Sequence, residues 1–199
     1  LGTTEAVKVN TDENFAQTEP FVGEALGREL FDNVRTFTDS FLASHTPLFE
    51  QRIRDGRIRE AHGDLHLGNI FFLDRPVIFD CIEFNQRFRC GDVAVDLAFL
   101  AMDLDFHGRV ELAERLVERY VAQSGDAAIT ELMDFYRCYR AYVRGKIACF
   151  SLGDPALDPD AHRQQLDLAR RYFALAHRYT GQSLYPPLIV FCGLMGTGK

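Results

Sequence analysis

The sequence predicts an α+β fold, mainly helical, with one small β-hairpin that carries polar residues at its mouth. Three observations lead there. Apolar residues recur at helical spacing over long stretches on both flanks of the chain. Between those flanks, the runs from Asn69 to Leu73 and from Pro76 to Asp80 are short and β-like, separated by Asp74 and Arg75. The 199 residues are 47% hydrophobic and 26% charged, which is enough apolar material for a core.

The elements follow in order. Residues 1–22 are polar and lack a period, so a connector is expected. Leu26, Leu30, Val34, Phe37 and Phe41 mark one apolar face of a helix between Gly23 and Ser44. A short helix from Pro47 to Arg54 is closed by Asp55 and Gly56. Ile58 to Ala61 reads as a short strand, and the hairpin follows. After Gly91, "DVAVDLAFLAMDL" is nearly all apolar and predicts a deeply buried helix. Arg109 to Ser124 is amphipathic. A long helix from Ala127 to Leu152 has Leu132, Phe135, Tyr136, Tyr139, Val143 and Ile147 on its expected inner face. Gly153 to Asp160 reads as a loop, before a last helix ending near Tyr179. Residues 181–187 read as a linker. Leu188 to Gly193 reads as a buried strand of a further domain.

Bulk properties exclude several function classes. The net charge is −7, which disfavours nucleic acid and anionic membrane surfaces as partners. Five dispersed cysteines form no CxxC pair, which predicts reduced thiols in a cytoplasmic protein. No apolar run reaches the length of a membrane span.

The chemistry concentrates in "HGDLHLGN" (His62 to Asn69) and "IFDCIEFN" (Ile78 to Asn85). In a hairpin, the start of one strand lies beside the end of the next. Asn69 and Asp80 would then face one small volume, with Asp64 close by. A carboxylate and an amide oxygen together suit a hard cation such as Mg²⁺. A second carboxylate, off the metal, can accept a proton from an attacking hydroxyl. Those are the parts of a phosphoryl-transfer site.

The same residues resemble the catalytic loop and metal-binding strand of the aminoglycoside phosphotransferase and choline-kinase-like family, relatives of protein kinases. The spacing from Asp64 to Asn69 matches the H-R-D-x-x-x-x-N loop, and Asp80 with Cys81 and Ile82 stands where D-F-G would. The resemblance implies that residues 1–180 are the mainly helical C-terminal lobe of a kinase-like fold, with the nucleotide-binding N-terminal lobe outside this sequence. It implies an enzyme that uses ATP and Mg²⁺ to phosphorylate a hydroxyl of a small molecule, the isolated piece being inactive. Asp64 is then the catalytic base, Asn69 and Asp80 are Mg²⁺ ligands, and His62 braces the loop. Cys81 and Ile82 replace Phe-Gly, so no activation-loop switch follows.

Other readings stand beside this one. His62, Asp64 and His66 could form a metal-hydrolase site. The lobe could be a non-catalytic sensor or docking module for a downstream domain. His66 is a loop histidine or a substrate contact, and Glu83 is a further site residue or a local charge partner. Asp96 lies in a strongly apolar helix, where an unpaired charge is costly. The resemblance to kinase-like folds implies a scaffold role for it, accepting backbone N–H groups of the catalytic loop. Asp92 is placed to cap that helix. Arg137, Arg140 and Arg144 fall on one helix face, either as a solvated basic stripe or as a lining for an anionic substrate.

The tail "GLMGTGK" fits G-x-x-x-x-G-K, a phosphate-binding loop in which backbone N–H groups cradle phosphates. Gly193, Gly196, Thr197, Gly198 and Lys199 would bind nucleotide. A lobe followed by such a P-loop resembles the bacterial bifunctional aminoglycoside phosphotransferase/ATP-binding proteins, and implies a C-terminal P-loop domain in the same parent chain.

Overall fold

The computed structural model describes residues 1–154 and 156–182. The strand expected at 188–193, the phosphate-loop motif at 193–199 and most of the expected linker lie outside the described residues. What is described is a mostly helical α+β lobe with two small antiparallel sheets.

The first element corrects the sequence reading. Residues expected as a connector form helix α1 (Thr4–Thr18), capped by the Thr3 side chain, which accepts from the Ala6 N–H at 3.2 Å. Its buried face is Thr4, Thr11, Asn14, Phe15 and Thr18, so no apolar period announces it. Thr11 bonds back to the Lys8 carbonyl within the helix, while Asn14 and Thr18 are satisfied across the helix interface. Thr18 hydrogen-bonds the Tyr142 hydroxyl, and Lys146 donates to Asn14 at 2.6 Å. Each such bond adds about 1 kcal/mol. Burying Phe15 adds about 2 kcal/mol more.

Helix α2 (Arg28–Ser44) begins later than expected, because Gly23 to Leu26 form a tight bridged turn. Helix α3 (Thr46–Arg54) carries Pro47 in its first turn, where a missing N–H costs nothing. Strand β1 (Ile58–Glu60) pairs antiparallel with β4 (Cys90–Asp92), a strand not anticipated from the sequence. Between them lie β2 (Ile70–Phe72) and β3 (Pro76–Ile78), paired with Ile70 opposite Ile78, and the one-turn helix α4 (Gln86–Arg89).

Helix α5 (Ala94–Phe106) runs through the centre. Ala94, Ala98, Ala101 and Met102 are fully buried, joined by Leu97 and Phe99. Helix α6 (Val110–Ser124) ends at Gly125 in a left-handed cap. The long helix expected from Ala127 breaks into a 3₁₀ stretch, Ala127–Leu132, and α7 (Met133–Ser151). Ile147, assigned to its inner face, is exposed, whereas Phe135 and Tyr136 are buried. Helix α8 (Pro159–Arg178) starts within the expected loop, capped by Asp158. It packs along α7, and Phe173 lies so close to Gly145 that an added Cβ there would come within 2.8 Å of its ring.

The expected hairpin forms, as β2 with β3. The sequence assigns its two short strands without saying which of their faces is covered. Phe71, Phe72, Leu73, Val77, Ile78 and Phe79 are all exposed, and so is Asp80.

Candidate active site

The loop from His62 to Asn69 is gripped from below by α5. Asp96 Oδ2 accepts from the His62 N–H at 2.7 Å, and Oδ1 accepts from the Gly63 N–H at 3.0 Å. Two turns on, Asp103 Oδ2 accepts from the Leu67 N–H at 2.9 Å. Between them, Phe99 packs under the His66 ring, with centroids 5.4 Å apart. Residues 96, 99 and 103 share one helix face by spacing alone. Asp103 was missed in the sequence, although its separation from Asp96 was the available signal. The loop must also be tight. Gly63 has φ 78°, and a Cβ there would meet the Phe88 carbonyl oxygen at 2.8 Å, so only glycine fits.

His62 ties this loop to the hairpin. Its Nε2 donates to the Phe79 carbonyl at 2.8 Å, and its Nδ1 accepts from the Asp64 N–H at 3.3 Å. Both ring nitrogens are therefore used within the protein, which removes His62 as a metal ligand. No cluster of three or more His, Cys, Asp or Glu side chains able to hold a metal occurs among the described residues. The hydrolase arrangement built on His62, Asp64 and His66 is not formed.

Asn69 is buried and joined to Asp64. Its Nδ2 donates to the Asp64 carbonyl at 3.0 Å and approaches Asp64 Oδ2 at 3.4 Å. The Phe79 N–H donates to the Asn69 carbonyl at 3.1 Å, which extends the hairpin pairing by one step. Asp80 follows directly, with φ 63°. It is the one non-glycine residue at positive φ among the described residues. Such a conformation costs about 1 kcal/mol or more and marks sites where geometry matters more than stability.

The charges around Asp64 set its state. Burial pushes its carboxyl up, but the His66 hydrogen bond and the positive charges of Arg140 and Arg144 outweigh this and hold it below the usual value. His66 Nε2 lies 3.5 Å from Asp64 Oδ2, while its Nδ1 accepts from the Gly68 N–H at 3.1 Å. That fixes the tautomer with Nε2–H aimed at the carboxylate.

The arginine face of α7 is neither a solvated stripe nor an open lining. Arg140 is 8% exposed, donates from Nη2 to the Gly63 carbonyl at 2.7 Å and stacks 3.7 Å over the Phe99 ring. The same nitrogen lies 3.5 Å from Asp64 Oδ1. Arg137 lies 4.0 Å from Asp105 and over the Tyr179 ring, and Arg144 lies over Tyr172. Glu83 is exposed and has no charge partner among the described residues.

Val93, not Asp92, occupies the cap position of α5, and Asp92 one residue earlier accepts from the Ala94 N–H at 2.8 Å. It has a second role that the sequence hid. Arg52 grips it with two bonds, from Nε at 2.8 Å and from Nη2 at 2.7 Å, and reaches Asp126 with Nη1 at 2.5 Å.

Among the described residues, Cys81, Cys90, Cys138 and Cys149 are free thiols, and no helix is long and apolar enough to cross a membrane.

Comparison with known proteins bears on what this arrangement does. The profile of the phosphotransferase enzyme family matches residues 13–136. The uncharacterized protein Mb2027c of Mycobacterium bovis is 38% identical over 165 residues, covering 81% of this chain and 33% of its own length. The uncharacterized protein Rv2004c of Mycobacterium tuberculosis gives the same 38% identity and the same coverage. The chain thus spans about one third of the length of the curated relatives it matches. No solved structure gives a significant match.

Proposed function

The chain belongs to the phosphotransferase enzyme family, and from that membership we propose that it forms part of an enzyme transferring the γ-phosphoryl group of ATP to a hydroxyl of a small molecule. The observation that carries the reading is the pairing of Asn69 with Asp64. The amide nitrogen of Asn69 is tied to Asp64, which leaves its oxygen free to meet a cation. Asp80 supplies an exposed carboxylate one step beyond the Asn69–Phe79 pair. An amide oxygen and a carboxylate are a fitting donor set for Mg²⁺, with positions left over for water and phosphate oxygens. A bound Mg²⁺ would offset the charge of the transferring phosphoryl group.

This chain's own part is orientation and proton transfer. The low pKa of Asp64 keeps it ionised at neutral pH, able to accept a hydrogen bond from the acceptor hydroxyl. As the hydroxyl oxygen bonds to phosphorus and the bond to ADP breaks, the hydroxyl proton passes to Asp64. Arg140 and His66 hold the carboxylate in place, and α5 holds the loop beneath it.

The tail extends the proposal on sequence alone. Gly193 to Lys199 would open a P-loop domain that binds a second nucleotide, in keeping with relatives about three times as long as the matched region. ATP, a hydroxyl-bearing acceptor and that domain are the partners proposed, in the cytoplasm.

The test is Asp64→Asn in the full-length protein, assayed with Mg·ATP and a panel of hydroxyl acceptors. Turnover should fall by about two to four orders of magnitude while Mg·ATP affinity holds. Asp80→Ala should instead weaken Mg·ATP binding by calorimetry. Unchanged turnover in the first variant removes Asp64 as the base, and equal affinity in the second removes Asp80 as a ligand.

A further inference from the structure

Helix α5 meets the active-site loop through three residues on one face, and the middle one is not polar. Asp96 and Asp103 fix the loop's backbone through the N–H groups of His62, Gly63 and Leu67. Phe99 lies between them and is 1% exposed. A residue so enclosed touches no substrate. It packs instead against both side chains that meet the base. The Arg140 guanidinium lies 3.7 Å over its ring, and the His66 ring is tilted by 45° with its centroid 5.4 Å away.

Those two side chains divide the Asp64 carboxylate between them. Arg140 Nη2 is 3.5 Å from Oδ1, and His66 Nε2 is 3.5 Å from Oδ2. The Asn69 amide adds a second approach to Oδ2, at 3.4 Å. An aspartate carboxylate turns easily about its last bond, where the preferences are broad and two-fold. The Asp64 side chain is 38% exposed, so packing alone does not stop that rotation. Its plane is set by the partners on its two oxygens, and that plane decides how the base meets the acceptor hydroxyl.

The partners need holding in turn. Apart from Asp64, Arg140 has one hydrogen-bond partner among the described residues, the Gly63 carbonyl at 2.7 Å from Nη2, and its Nε–H has none. One bond at one end lets a planar fork swivel. A flat ring beneath it does not, because the guanidinium stacks there and is attracted to the negative face. His66 is similarly tied at Nδ1, which accepts from the Gly68 N–H at 3.1 Å, and the Phe99 ring steadies the rest of the imidazole.

On the reading of Asp64 as the base, we propose that Phe99 is a positioning residue for phosphoryl transfer: its ring fixes Arg140 and His66 together, and through them the orientation of the Asp64 carboxylate. Asp96 and Asp103 place the loop, and Phe99 aims the side chain that the loop carries.

Phe99→Leu keeps an apolar side chain and removes the flat face. The full-length variant is assayed with Mg·ATP and the hydroxyl panel, and the phosphorylated product is read by mass spectrometry. Its kcat should fall about tenfold or more while the KM for Mg·ATP stays within about twofold. Phe31→Leu is the control, because Phe31 on α2 is equally buried, at 1%, and packs against Phe15 rather than the loop. It should lose stability and keep kcat. Phe99→Met replaces the leucine variant if that fails to fold, since its unbranched side chain fills the gap without a flat face. A crystal structure of the Phe99 variant should show Arg140 Nη2 or His66 Nε2 drawn away from Asp64. An unchanged kcat overturns the proposal, and so does an equal fall in Phe31→Leu. A wild type that phosphorylates nothing in the panel counts against the phosphotransferase reading, and the variant's structure then decides the role of Phe99 by itself. Arg140 and His66 both in their wild-type places would overturn that role, and either one displaced would support it.

Discussion

Two charged clusters flank the same helix, and they are built to opposite ends. At the start of α5, Arg52, Asp92 and Asp126 have side chains 2%, 1% and 3% exposed. Above the middle of α5, Arg140 is equally enclosed, at 9%, but its partner Asp64 is 38% exposed. In the first cluster every charge is sealed against another. In the second the cation is sealed and the anion looks out. A buried cation next to an open carboxylate fixes that carboxylate's position and charge and leaves it free to meet a substrate. Where both partners are buried, the pair can only hold the fold together.

The comparison breaks most directly at Arg52. Burial lowers its pKa, but the hydrogen bonds to Asp92 and Asp126 more than restore it, so the guanidinium stays charged. Arg52→Met would leave two buried carboxylates facing each other, with only Arg57 Nε near Asp126 at 3.5 Å. The expected loss is about 3–5 kcal/mol, read from the urea midpoint of the variant against the wild type. A loss below about 1 kcal/mol would put this cluster on the level of an exposed ion pair and erase the contrast.

That cluster was invisible in the sequence for a physical reason. Arg52 lies 40 residues from Asp92 and 74 from Asp126, and no local period links them. The candidate site was legible because its parts lie within one loop and one hairpin, where spacing fixes which residues can meet. His62 to Asn69 and Phe79 to Asp80 needed no long-range knowledge. Helix α5 was legible too, since an almost wholly apolar run can only be interior. Helix α1 was not, because its buried face of Thr4, Thr11, Asn14 and Thr18 is mostly polar, and Asn14 and Thr18 find partners far along the chain. The exposure of the hairpin was not legible either. Apolarity in Phe71, Phe72 and Ile78 indicates a preference for cover, and local sequence does not say whether cover is present.

A smaller effect sharpens the comparison from the side of the scaffold. Asp103 belongs to neither cluster, yet it holds the active-site loop through the Leu67 N–H. Asp103→Ala would orphan that N–H and cost about 1–3 kcal/mol of stability. Asp103→Asn keeps an oxygen acceptor and should cost less than the alanine. Amide exchange at Leu67 is the discriminating measurement. It should quicken in the alanine variant and stay near wild type in the asparagine variant. Equal exchange in both would mean that Asp103 packs against the loop without holding it.

The smallest effect concerns acid, and its sign is set by Asp64. Its folded pKa lies below the ordinary carboxylate value, so the ionised form is favoured by folding. The resulting stability is fully present above the unfolded value and is lost as pH falls through the lower folded one. At 38% exposure the carboxylate is screened by water, so the contribution is modest beside that of the buried clusters. Asp64→Asn removes it at every pH. The wild type should therefore exceed the variant in urea midpoint at neutral pH, and the gap should close as the pH drops below the usual carboxylate range. A gap that stays constant down to strong acid would mean that Arg140 and His66 do not favour the charged form. The open cluster would then differ from the sealed one in exposure alone, with no preset charge on its carboxylate.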